Sequence, residues 1–203
     1  VLFRIPLPLT VVQILAVDLG TDLLPALALG AEPPAADTMR QPPRARSERL
    51  VNLPLMLRAY GFLGLLEAAA AMAAFFFVLD GGGWHYGAVL DWHDPLYRQA
   101  TTACLAAIVL AQVANLFLCR HPRASTLRLR LRGNHLLVWG VVVELVLLLA
   151  IVYTPWGQRL FGTAALSWPV WLFALPFPFV MMAAEEMRKA LMRRWRQGGP
   201  ARP

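Results

Sequence analysis

The chain has 203 residues, 58% of them hydrophobic and 15% charged, and a mean hydropathy of +0.53. Soluble domains carry about 25% charged residues, so this composition argues against a water-soluble fold. The net charge of +7 does not indicate nucleic acid, because the basic residues fall in short runs between apolar stretches with no interleaved aromatic reading surface.

Five apolar stretches match a hydrocarbon core of about 30 Å, at about 9–29, 54–79, 101–119, 136–153 and 168–184. The fold class expected is an all-α integral membrane bundle of five transmembrane helices forming one transport domain over 1–203. The first span contains Val17-Asp18-Leu19-Gly20-Thr21-Asp22-Leu23-Leu24-Pro25. It sets two carboxylates in mid-membrane, where each costs about 2.5–3.5 kcal/mol on insertion scales. Asp18, Thr21 and Asp22 project from one face if the helix is regular. Pro25 lacks an N–H and deprives the Thr21 carbonyl of its partner, while Gly20 makes local unwinding cheap. Freed carbonyls and two carboxylates form a hard-oxygen cage, suited to sodium, calcium, magnesium or protons, and broken helices at the midplane recur in transporter ion sites. The alternative is that both aspartates are protonated or paired with a basic group elsewhere.

Glu67, midway along the second span among alanines, reads as a packed or protonated carboxyl rather than a ligand. His85, Asp91, His93 and Asp94 follow in a connecting loop; their irregular spacing reads as a solvated loop rather than a metal site. In the third span Gln112 and Asn115 share a face, and interhelical hydrogen bonding and ion contact are equally open to them. Cys104 and Cys119 lie in this same span, roughly 22 Å apart along a helix, so they cannot bond each other. Glu144, in the first half of the fourth span, is a charge at a depth that wants a partner or a proton. Pro169, Pro176 and Pro178 predict a kinked fifth span.

Charge sets the expected orientation. Four arginines (40, 44, 46, 49) follow the first span, five (120, 123, 128, 130, 132) follow the third, and six basic residues (188, 189, 193, 194, 196, 202) close the chain. The other two gaps hold Arg98 and Arg159 alone. The positive-inside rule then places the C-terminus in the cytoplasm and the N-terminus outside. An outward N-terminus without a methionine or export signal reads as a truncation, with Arg4 to Leu9 as the turn of a helical hairpin.

With these residues in view, the chain resembles the C-terminal transport region of type II P-type cation-pumping ATPases, helices six to ten, of bacterial appearance. Pro6-Leu7-Pro8-Leu9-Thr10, Val17-Asp18-Leu19-Gly20-Thr21-Asp22 and Pro25-Ala26-Leu27-Ala28-Leu29-Gly30-Ala31-Glu32 are similar to that family's sixth helix and the hairpin before it. Asp37-Thr38-Met39-Arg40-Gln41-Pro42-Pro43-Arg44, Gln99-Ala100-Thr101-Thr102 and Glu185-Glu186-Met187-Arg188-Lys189 match later stretches in order. The resemblance implies cation ligation by Asp18, Thr21 and Asp22, with Gln112 and Glu144 placed to contribute and Gly20 and Pro25 as the unwinding residues. The Asp-Leu-Gly-Thr-Asp run is that of the sodium/potassium and proton/potassium pumps, which favours a monovalent cation and leaves calcium open. It implies further that ATP and magnesium belong to domains outside this chain, which holds no cofactor, no resident metal and no catalytic residue of its own and shows no ATPase activity alone. The partners implied are the lipid bilayer, the transported cation and the remainder of the pump; the location implied is the cell membrane, multi-pass, with a bacterial inner membrane expected. A free-standing membrane subunit or scaffold, or half of a secondary transporter, are the rival readings.

Overall fold

A computed structural model of the chain describes residues 4–21, 23–32, 51–120 and 134–197. Asp22 and the arginine-rich connections 33–50 and 121–133 lie outside the described residues. All regular structure among the described residues is helical, and five helices are long and apolar enough to cross a membrane. They are α1 (Val11–Gly30), α2 (Leu53–Gly81), α3 (Pro95–Cys119), α4 (His135–Tyr153) and, after the short α5 (Pro155–Phe161), a last span made of α6 (Trp168–Ala174) and α7 (Pro176–Gln197).

Local chemistry sets where each helix begins. Thr10 and Gln13 form a reciprocal capping box at the start of α1, satisfying two donors that a helix N-terminus leaves open. Asn52 caps α2 through the Leu55 amide. Asp94 accepts from the Leu96 amide and Pro95 occupies the first turn of α3, so this helix starts at Pro95 and overruns the apolar stretch expected from 101. Asn134 caps α4 and Thr154 caps α5, each through a side-chain oxygen; α5 ends at Gly162 with φ of 63°, a left-handed conformation that glycine adopts without a Cβ penalty. The last span breaks at Leu175, between Ala174 and Pro176, where the proline cannot donate to the preceding turn. It then runs to Gln197, past the expected 184, with Met181, Glu185 and Lys189 forming a buried stripe at four-residue spacing.

Helix α3 is the hub. Ala71, Ala74, Phe75, Val78 and Leu79 of α2 pack with Ala100, Ala103, Cys104, Ala106 and Ala107 of α3, and Leu148, Val152 and Val170 close the cluster. Alanines at the seam let the two backbones approach, which is how spans associate where lipid removes the hydrophobic drive between helices. Cys104 and Cys119 are both free thiols.

Helix α1 lies between α3 and α4. It runs parallel to α3, with Gln13 bonded to Thr101, Thr21 to Gln112 and Glu32 to Arg120. It runs antiparallel to α4: Ala16 and Val17 cluster with Ile151, Gly140 meets the Leu24–Pro25 backbone, and Asn134 donates to the Ala28 carbonyl. This alternation is the one required of consecutive crossings.

Candidate functional site

The interruption expected in the first span is present in a different form. Residues Ala16–Thr21 are a π-helix rather than unwound chain, and α-helix resumes at Leu23. In a π-helix each N–H reaches back five residues instead of four. The Thr21 hydroxyl donates to the Val17 carbonyl at 2.9 Å, the acceptor that its own N–H takes in an α-helix. π-segments are uncommon and concentrate at functional sites.

The wider turn also redistributes the side chains. Asp18 and Thr21 were expected on one face of a regular helix; in the structure Asp18 is exposed, whereas Thr21 is 2% exposed and points into the bundle. The Thr21 hydroxyl lies 3.3 Å from Gln112 Oε1 on α3, so Thr21 and Gln112 meet and Asp18 faces outward. Asp22 lies outside the described residues. Gly20 is half-buried, with open space where a Cβ would sit, and Pro25 packs under α4 at Gly140.

Glu144 is 1% exposed on α4, one turn beyond Gly140. Since Gly140 meets Leu24–Pro25 and Ile151 meets Ala16–Val17, the antiparallel register brings Glu144 to the level of Thr21. Three spans thus contribute polar groups at one depth: Thr21 from α1, Gln112 from α3 and Glu144 from α4.

Glu67 Oε2 accepts a hydrogen bond from Asn115 Nδ2 at 2.7 Å, an interhelical contact of the kind left open for Asn115. Asn115 is one turn beyond Gln112, and Glu67, Gln112 and Asn115 line a cleft of about 370 Å³ with Pro25, Ala26 and Leu29 of α1. Sequence reading had the signal, an intramembrane carboxylate level with an asparagine, but could not know that α2 and α3 turn these two faces together. Glu67 also follows a second π-segment, Leu57–Gly64. His93 and Asp91 meet at 3.3 Å in an exposed loop, Asp94 is spent on its helix cap, and no group of three metal-ligating side chains occurs among the described residues.

Two charged latches close the arginine-rich end. Glu32 takes Arg120 on one oxygen and Asn134 on the other, joining α1, α3 and α4. Glu185, fully buried, takes Arg58 at 2.8 Å and Arg188 at 2.7 Å, and Arg58 also donates to the Leu118 carbonyl at the end of α3. At the opposite end Arg98 donates to the carbonyls of Gln158, Gly162 and Thr163, fixing α5 and the loop after it to the start of α3.

The family model for the cation-transporting ATPase C-terminus matches residues 6–191 of this sequence. The chain belongs to this family. Among curated relatives, sodium/potassium-transporting ATPase subunit alpha-2 of Homo sapiens and that of Gallus gallus are each 32% identical over a 227-residue alignment, covering 98% of this chain and 22% of the relative. Subunit alpha-3 of Gallus gallus is 31% identical over 219 residues, covering 96% of this chain and 22% of the relative. The cation-transporting ATPase region described here therefore spans about a fifth of the length of these relatives. It is the helical, membrane-type part of such a protein.

Proposed function

We propose that this chain forms the C-terminal part of the membrane ion pathway of an ATP-driven P-type cation pump. The observation that carries the reading is the convergence of Thr21, Gln112 and buried Glu144 at one depth around a π-distorted span that holds Asp18. Asp18 and Asp22 complete the ligand set. A carboxylate exposed at mid-span is costly in lipid, and the exposed Asp18 face meets the remaining helices of the pump, where the carboxylate ligates the transported ion. The Asp-Leu-Gly-Thr-Asp run favours a monovalent cation, and the similarity to sodium/potassium-transporting subunits supports this. ATP and magnesium are bound by other domains of that pump, so this chain alone hydrolyses no ATP.

The arginine-rich end faces the cytoplasm and the N-terminus faces outward, in a bacterial inner membrane; charge asymmetry supports the orientation, and the bacterial assignment rests on the resemblance. A cysteine introduced at Arg128 then stays protected from membrane-impermeant reagents in sealed cells, and strong labelling from outside reverses the orientation.

The function is tested in the assembled pump by cation titration of phosphoenzyme formation. Asp22→Asn and Asp18→Ala each remove a charge-assisted contact to a dehydrated cation, about 1.5–3 kcal/mol, and raise the cation requirement roughly ten- to over a hundred-fold. Phosphorylation from inorganic phosphate, which lies outside the membrane, stays largely intact. Unchanged cation dependence in both variants would reduce Asp18 and Asp22 to structural carboxyls.

A further inference from the structure

We propose that the cleft between α2 and α6, walled by Phe76, Phe77, Trp84 and Phe173 and bearing Asp80, holds the ammonium headgroup of a phospholipid. It lies at the end of the bundle opposite the arginine-rich connections. Its lining consists of these four aromatic rings, Ala73 and a single charge, that of Asp80, with no basic residue among them.

Local sequence builds the cleft. The run Asp80-Gly81-Gly82-Gly83-Trp84 closes α2: the Gly83 amide donates to the Asp80 carbonyl and the Trp84 amide to the Leu79 carbonyl, each at 3.0 Å, and Gly83 has φ of 75°. This paired closure of a helix turns on a left-handed residue, which glycine supplies without a Cβ penalty. A Cβ on Gly82 would collide with the Leu96 side chain. The chain therefore turns back, and the Trp84 ring lies 6.5 Å from that of Phe76 with the planes tilted by 43°. The Trp84 indole N–H donates to the Ala88 carbonyl at 3.0 Å, which fixes the ring. Phe77 and Phe173 stack at 4.2 Å, almost parallel, and join α2 to α6.

Three sources of negative potential converge here. Asp80 stands in the last turn of α2, at the negative end of the helix dipole, where a cation is favoured and a carboxylate is not. The aromatic faces add their quadrupole, which attracts a cation within about 6 Å of a ring centroid, most strongly at tryptophan. A metal ion such as sodium asks for several oxygens, and the side chains of this lining offer one carboxylate and otherwise carbon. An alkylammonium group is the cation that aromatic cages take, and a cleft of about 420 Å³ accommodates it. Phe77 and, beside Phe173, Leu172 are exposed, an apolar flank for acyl chains below the headgroup at the depth where aromatic residues gather. That continuity favours a lipid over a soluble ammonium ion. The site uses none of the groups assigned to the ion pathway, so either reading can fail without the other.

The full chain, with fluorine-labelled tryptophan, is placed in phosphatidylglycerol nanodiscs, and the Trp84 resonance is identified by its loss in Trp84→Phe. Adding phosphatidylcholine is expected to shift this resonance saturably, and tetramethylammonium chloride to compete, whereas sodium chloride at equal ionic strength does not. Asp80→Asn, an exposed substitution, should weaken the response about tenfold or more by removing the charged contact, and Phe76→Leu should weaken it by removing a ring. An unmoved Trp84 resonance overturns the proposal, as does a response that sodium reproduces. A response of equal strength in Asp80→Asn also overturns it, by marking a bulk effect of the lipid. A response to tetramethylammonium without one to phosphatidylcholine overturns it in favour of a soluble ammonium ligand.

Discussion

Helices α1 and α3 cross side by side and in the same direction, yet they solve opposite problems. Over their most apolar stretches α3 is 67% buried and α1 is 35% buried. Helix α3 is regular from Pro95 to Cys119, lined with alanine, and touches every other span. Helix α1 is interrupted by a π-segment, shows Asp18 to the outside, and is tied to α3 by side-chain hydrogen bonds at three depths. The difference teaches where a membrane protein keeps its stability and where its chemistry. Small residues bring the α2 and α3 backbones into close contact, whereas α1 carries its π-segment at the level of Asp18 and Thr21.

If that division holds, substitutions in the α3 framework lower stability and those in α1 alter ion binding with little loss of stability. The largest effect is expected at the Glu185 latch. Glu185→Leu leaves Arg58 and Arg188 without their shared anion, and breaking a buried pair costs about 3–5 kcal/mol; equilibrium unfolding in mixed micelles should show it, and a loss below about 1 kcal/mol would mean that the arginines escape to water. Next comes Ala107→Leu, fully buried in the α2–α3 seam, which overpacks the core by about 1–3 kcal/mol in the same assay. A neutral result there would show a seam looser than its alanines suggest.

Asn134→Leu removes the cap of α4 and the bonds to Ala28 and Glu32, for about 1–2 kcal/mol, with faster amide exchange expected in the first turn of α4. Thr21→Val keeps the shape and deletes the bonds to Val17 and Gln112, so about 0.5–1.5 kcal/mol of stability is lost while the cation requirement of the assembled pump rises. Asp18→Asn should cost least: an exposed carboxylate loses no internal contact, and relief of its desolvation leaves the isolated chain unchanged or slightly more stable. Marked destabilisation by Asp18→Asn would place the residue among the framework groups and erase the contrast between the two helices.

Hydropathy alone was enough to locate five helices, because a bilayer core demands long uninterrupted apolar runs and hides no backbone group outside a helix. The caps at Asp94-Pro95 and Asn134, which depend on neighbours within one turn, were not drawn from the sequence, where Asp94 read only as part of a solvated loop. The order of the motifs also led to the right family. Helix ends that overran the apolar runs were not legible: α7 continues because Glu185 and Lys189 are buried against other helices, which hydropathy reads as an ending.

The candidate site divides along the same line. The sequence determined which residues could hold a cation, because a carboxylate or amide in mid-span is conspicuous by its cost, and it marked the α1 span as irregular through Gly20 and Pro25. Tertiary structure decided how they are grouped. The π-register turned Asp18 away from Thr21, the parallel packing of α1 on α3 joined Thr21 to Gln112, and the packing of α2 on α3 set Glu67 against Asn115, choosing for this amide an interhelical hydrogen bond that the sequence had left open. Facing of one helix toward another depends on side-chain contacts between segments tens of residues apart, and a periodicity of 3.6 along each strip of sequence carries no information about which strip it meets.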